Sequence, residues 1–347
     1  METARNLSTV ITISTLLSLA LCSVTVNAKE NRGKKPPNKN GKPSQSISLP
    51  STHIESIECT RVKQSIIDSG FTQVSVVCDN DYAYVQSDTY PSHNVMNGIT
   101  GTNEQIPVPA LNYIAPIKLH PQLSSQITTI DAALGIAVNG VPIYDYSAQG
   151  ELDVEHYNAK KDTVKLGQLD DCGGHAGRGD DYHYHAKPTC MINTMSNKAD
   201  EPIIGWGYDG YPIFADNNPN GSDIPQGTLD VCNGIEDPQF GYRYHTSPNP
   251  PYIIQCLVGE VDTSILPRVA PLKGSKTRSD LKPPREGVTD LIHHEDENGT
   301  RSLRYRYQGA EYFSSYTPSK TRNNCFDFKQ KTISNGGKLE TGTFCRQ

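Results

Sequence analysis

Residues 169–188 read LDDCGGHAGRGDDYHYHAKP, and residues 229–248, sixty positions later, read LDVCNGIEDPQFGYRYHTSP. Leu169, Asp170, Cys172, Gly174, Tyr182, Tyr184, His185 and Pro188 recur as Leu229, Asp230, Cys232, Gly234, Tyr242, Tyr244, His245 and Pro248, eight identities in twenty positions where average composition gives about one. An upstream block recurs too. GIAVNGVPIY (135–144) and GWGYDGYPIF (205–214) share Gly135/Gly205, Gly140/Gly210, Pro142/Pro212 and Ile143/Ile213, with Asn139 facing Asp209. The same blocks in the same order point to one supersecondary unit present twice, repeat one over about 135–190 and repeat two over about 205–256. Copies of this size are expected to pack face to face, because neither can bury both faces of its strands alone.

The copies differ at histidine. His175, His183 and His185 of the first are matched by Ile235, Arg243 and His245 of the second. In an extended strand successive side chains alternate faces, so Tyr182 and Tyr184 point one way and His183 and His185 the other. A His-x-His pair of this kind chelates a borderline or soft divalent metal, and His175, folding back through a glycine-containing loop, offers a third nitrogen. The bland alternative is a set of half-exposed imidazoles bonded to a turn, with the tyrosines in the core. Asp170 recurs as Asp230, which favours a turn or cap, whereas Asp180 and Asp181 belong to the first copy alone and are candidates for ligating metal or taking a proton.

These residues carry a resemblance. The segments AVNGVPIY (137–144), LDDCGGH (169–175), YHYHAKPTC (182–190), GYDGYPIF (207–214) and the later LDVCNG and PYIIQC are similar to the YHYH family, named for the motif at Tyr182-His183-Tyr184-His185. The likeness runs roughly from 89 to 259. Pro91-Ser92-His93 resembles an element at the start of that domain, which adds His93 as a candidate ligand. The family implies a secreted, cysteine-stapled fold and a suspected metal site, and no agreed reaction.

Residues 1–28 have Arg5 near the start, an apolar run from Val10 to Leu21 and small residues ending at Ala28, the pattern of a secretory signal peptide. No later stretch approaches the twenty apolar residues that a membrane span needs. Setting aside Cys22 within that segment, eight cysteines remain: Cys59, Cys78, Cys172, Cys190, Cys232, Cys256, Cys325 and Cys345. An even number in an exported chain argues for disulfides, and pairing of sequence neighbours is the simplest connectivity. It staples each repeat separately through Cys172–Cys190 and Cys232–Cys256. A zinc site built from close Cys-x-x-Cys pairs is excluded, since none exist.

Residues 29–50 hold six Lys/Arg against one Glu and no apolar periodicity, which reads as a disordered basic linker. A domain of about 51–270 follows, then a second basic, Pro-containing linker at 271–286 and a small Cys-stapled segment at 287–347. The formal net charge is −6, so a phosphate-binding face has no global support and a nucleic-acid partner is not expected. Gly and Pro number 28 and 24, apolar alternation is short, as in TQVSVVC (72–78) and YIIQCLV (252–258), and turn signals such as Asn139-Gly140 recur. Glu58 to Ser69 is the one fair helix candidate. The expected fold is mainly β, a disulfide-stapled sandwich or open barrel with pseudo-two-fold symmetry. Arg304-Tyr305-Arg306-Tyr307 is expected to form a strand with one aromatic and one basic face.

Nucleophile elbows, phosphate-cradling glycine loops and His-Glu-x-x-His are absent. Two functional classes remain. One is a secreted metalloprotein holding copper or zinc through His183, His185 and His175, completed by His245, His93 or Asp209 from across the pseudo-symmetric interface. The other is a non-catalytic exported module that binds glycan or extracellular matrix through its tyrosines, of which there are 18 against 7 Phe and one Trp.

Overall fold

The computed structural model describes residues 47–101, 105–148, 150, 152–177, 181–267 and 287–345. The expected signal peptide, most of the first basic linker, the second basic linker and Asp180 lie outside the described residues. The fold is mainly β, 34% strand and 8% helix, with a curled half-barrel sheet and four disulfides. Of the two architectures expected, it is the open, curled one.

The first helix, α1 (Ile57–Ser69), is set by its ends. The Ser56 hydroxyl accepts a hydrogen bond from the Cys59 amide at 3.1 Å, and Gly70 closes the helix at φ 88°, the left-handed position where glycine carries no steric penalty. Cys59, Val62, Ile66 and Ser69 form its buried face, and Cys59 is bonded to Cys78 at the end of β1 (Ser75–Cys78). With β2 (Tyr82–Ser87) and β3 (Tyr113–Lys118), β1 makes a three-stranded antiparallel sheet.

The central sheet has eight short strands: β5 (Gly135–Ala137), β6 (Pro142–Ile143), β7 (Gly174–Ala176), β8 (Tyr182–Tyr184), β9 (Gly205–Gly207), β10 (Pro212–Phe214), β11 (Gly234–Asp237) and β12 (Gly241–His245). Their order is β11-β12-β10-β9-β5-β6-β8-β7. Read from either edge, the pairings agree. β7 runs antiparallel to β8, β8 parallel to β6, and β6 antiparallel to β5; β11, β12, β10 and β9 repeat these relations, and β5 meets β9 antiparallel at the centre. In both halves the Gly-x-Pro-Ile turn leads into a buried strand: Gly140 (φ 82°) and Gly210 (φ 91°) occupy the left-handed region before Pro142 and Pro212. Face-to-face packing does not occur. The halves lie side by side in one sheet, joined by main-chain pairing of β5 with β9.

The remaining strands are β4 (Leu123–Thr128), paired with β13 (Leu257–Gly259), and a five-stranded meander of β14 (Thr289–Glu295), β15 (Arg301–Tyr307), β16 (Ala310–Pro318), β17 (Cys325–Lys331) and β18 (Leu339–Cys345). A short helix, α2 (Thr189–Thr194), which sequence periodicity did not signal, carries Cys190. YIIQCLV is strand only at its end. Turn hydrogen bonds from the Tyr252 amide to Asn249 O and from the Ile253 amide to Pro251 O hold its start in a loop, and Ile253 and Ile254 are buried from there. On β15, Leu303 and Tyr305 are buried while Arg304 and Arg306 are exposed, the alternation expected. Val288, Leu291, Leu303, Tyr305, Tyr316 and Phe344 belong to the same buried cluster as α1 and the central sheet.

All four disulfides join sequence neighbours: Cys59–Cys78, Cys172–Cys190, Cys232–Cys256 and Cys325–Cys345. Among the described residues no helix is long and apolar enough to cross a membrane.

Candidate metal centre

The site is built on the edge hairpin β7–β8. Asp170 shapes the turn that leads into it, accepting hydrogen bonds from the amides of Cys172 and Gly174 and from the Tyr182 hydroxyl, with the Met96 amide on its second oxygen. Burial still outweighs these bonds and pushes its carboxyl up to about 6. The strand register then sets the histidines. His175 is the direct cross-strand partner of His183, and directly opposed residues of an antiparallel pair share a face. His185, two residues beyond His183, lies on that same face. His175 therefore arrives by strand pairing rather than by a loop folding back.

The three rings close on one another with centroids 4.8–4.9 Å apart and interplanar angles of 87°, 89° and 68°. One ring nitrogen from each lies within 4.8 Å of the others. His183 and His185 are 6% and 3% exposed. Each Nδ1 is engaged by an oxygen that can only accept: Gln168 O at 3.0 Å from His175, the Asp181 carboxylate at 3.3 Å from His183, and Asp145 O beside His185. The proton therefore sits on Nδ1 in all three rings, and the Nε2 lone pairs are left over.

Two of those lone pairs meet. The Nε2 atoms of His175 and His185 are 3.1 Å apart, and a hydrogen bond between them requires one ring to be protonated at both nitrogens. Burial opposes that, holding His175 down to about 3, with the His183 ring adding to the effect, and driving His185 well below the usual imidazole range. A cation shared by the two nitrogens would resolve the conflict, and the three histidines form a group that could hold one. Metal–nitrogen bonds of about 2.0–2.1 Å put two ligand nitrogens roughly 2.9–3.4 Å apart for angles between a right angle and tetrahedral. The Tyr144 ring covers the site, 4.3 Å from the His183 ring and 5.7 Å from that of His185.

The tyrosines of the motif face the other way. The Tyr182 hydroxyl donates to Asp170, and that of Tyr184 meets the Asn139 amide at 3.0 Å and His93 Nε2 at 2.8 Å. His93 is thus on the tyrosine side of β8. Its Nδ1 donates to Asn94 O, so both nitrogens are committed. It also neighbours Cys172 and Cys190, whose sulfurs are tied up in their disulfide. His93 does not reach the histidine cluster.

His245 and Asp209 are elsewhere as well. Four strands, β12's neighbours β10 and β9 and then β5 and β6, separate β12 from β8, a consequence of side-by-side packing. His245 donates from Nδ1 to Ala215 O at 2.9 Å, and burial holds it down to about 4. Asp209 accepts from the Tyr244 hydroxyl at 2.6 Å and the Gly259 amide at 2.9 Å, and burial pushes it up to about 6. Neither joins a ligand group among the described residues. His293 and His294 lie on strand β14 and form no such group among the described residues either. Sequence reasoning missed the acceptors Gln168 O and Asp145 O, which are main-chain atoms and leave no signal in residue type. Tyr144 was legible only as an aromatic matched by Phe214.

Residues 112–224, about a third of the chain, match the model of the YHYH protein family. The match takes in His175, His183 and His185 and leaves out His93 and His245. None of the curated proteins and none of the solved structures compared with the chain matches it.

Proposed function

We propose that this chain is an exported metalloprotein that binds one divalent ion, zinc or copper, through Nε2 of His175, His183 and His185. The observation that carries the reading is the convergence of three imidazoles whose Nδ1 atoms are all engaged by oxygen acceptors, with the His175 and His185 Nε2 atoms 3.1 Å apart. Three neutral ligands leave the charge of the ion unbalanced and a further coordination position for water or substrate, the arrangement in which such an ion acidifies bound water or polarises a carbonyl or phosphoryl oxygen. Asp181 has the place of the outer carboxylate that fixes the ring orientation and basicity of a ligating histidine. The four disulfides suit an oxidising compartment, in keeping with the leader-like residues 1–28.

The binding-module alternative draws less support. Tyr146, Tyr182, Tyr184, Tyr208, Tyr244, Tyr305 and Tyr316 are all fully buried, so the tyrosine content serves packing rather than a contact surface. Tyr157, at 49%, is the most exposed of them. The test of the metal reading is elemental analysis of protein purified without chelator, which should find one zinc or copper per chain.

A further inference from the structure

The second half of the central sheet reproduces the frame of the metal centre residue by residue. Asp230 accepts from the amides of Cys232 and Gly234 and from the Tyr242 hydroxyl, as Asp170 does from Cys172, Gly174 and Tyr182. Ile235 is the direct cross-strand partner of Arg243, as His175 is of His183. His245 Nδ1 donates to Ala215 O, two residues beyond Ile213, and His185 Nδ1 donates to Asp145 O, two residues beyond Ile143. The Phe214 ring lies 5.9 Å from that of His245, and the Tyr144 ring 5.7 Å from that of His185.

Of the three positions that carry imidazoles in the first half, two have changed chemistry, to Ile235 and Arg243, and Gly241 and Phe214 stand in place of Asp181 and Tyr144. Arg243, 1% exposed, puts a guanidinium on the face that carries neutral imidazoles in the first half. Asp237 pairs with it at 2.6 Å, and the Gly241 carbonyl and Asn218 side chain accept from it. Arginine stays charged at any ordinary pH, so a permanent cation occupies this face. His245 is left with its Nε2 buried and without a hydrogen-bond partner, and so is Arg243 with its Nε. An unpartnered buried imidazole nitrogen held by its Nδ1 in the same orientation as a proposed ligand is one third of a ligand set.

We propose that the second half is a latent metal site: His245 is oriented as a ligand, and Arg243 and Ile235 keep a second ion out, one by charge repulsion and the other by offering no donor atom. This rests on the reading of the first half and on the two halves being copies of one unit. It explains why one protein would carry two equivalent frames and a single metal centre, with the second frame held together by a built-in positive charge.

The full-length chain carrying Ile235→His and Arg243→His, loaded with zinc or cobalt, should bind two ions where the parent binds one. A variant with all four disulfides and an unchanged circular dichroism spectrum that still bound only the parent's number of ions would overturn the inference. If the double variant does not fold, Arg243→His alone decides: it should add a second, weaker binding event, and the lack of one would count equally against the proposal. A parent that binds no ion while the double variant binds one would remove the reading of the first half and leave this one standing.

Discussion

The carboxylate of Asp181 lies 3.3 Å from Nδ1 of His183, and both side chains are buried, 4% and 8% exposed. Among the three histidines His183 alone has an ionisable outer partner; the other two donate to main-chain carbonyls. An aspartate in this position fixes the tautomer and strengthens the ring as a donor. Asp181→Asn should therefore lower metal affinity by about 10–100-fold with the fold retained, measured by competition against a chromophoric chelator. Unchanged affinity would show that Asp181 does not orient the ligand.

His93→Ala should leave one ion per chain. The ring binds Tyr184 and Asn94 on the opposite side of β8, so its loss removes a half-buried hydrogen bond to the Tyr184 hydroxyl and should cost about 1 kcal/mol of stability. Denaturant melts together with metal analysis separate the two effects, and loss of the ion would restore His93 as a ligand.

Cys172 and Cys190 brace the same hairpin from behind. Replacing both by serine should cost about 2–4 kcal/mol by freeing the unfolded chain. Because the Cys172 amide is one of the Asp170 contacts that shape the entry to β7, metal affinity should fall too. Urea unfolding and a metal titration of the same variant check this. A stability loss with unaltered affinity would mean that strand pairing alone positions His175.

Asp209 sets a pH signature of its own. Its folded carboxyl stands at about 6 against 3.8 for the free side chain, because burial disfavours the charge. A raised folded value means that the stability it contributes is complete below the unfolded value and is lost as pH rises through about 6. Asp209→Asn, which can still accept from Tyr244 and Gly259, removes that loss. Relative to the parent it should gain on the order of 1–3 kcal/mol between pH 4 and pH 7. Thermal melts across that range that showed a constant difference would contradict the assignment.

Much of this was legible in the sequence because it depends on local spacing. The alternation of Tyr182, His183, Tyr184 and His185 fixes which side chains share a face, and cysteines 18 to 24 residues apart pair within their own segment. The one helix candidate, Glu58 to Ser69, lies within α1 (Ile57–Ser69). Sheet order was not legible. Whether two similar units stack or extend one sheet depends on which strand edges meet, and nothing in GIAVNGVPIY or GWGYDGYPIF marks β5 and β9 as partners. Stacking would bring His245 to the cluster, whereas the β5–β9 pairing leaves four strands between β12 and β8, and Asp209, in the turn between β9 and β10, accepts from the Tyr244 hydroxyl instead.

The most direct test of the metal centre is elemental analysis of parent and His183→Ala/His185→Ala protein, both purified without chelator and dialysed against equimolar zinc and copper. The parent should carry one ion per chain. The double variant should carry none while keeping its four disulfides, because Tyr182, Tyr184 and the disulfides lie off the histidine face. A parent without metal, or a double variant that holds as much metal as the parent, would contradict the account.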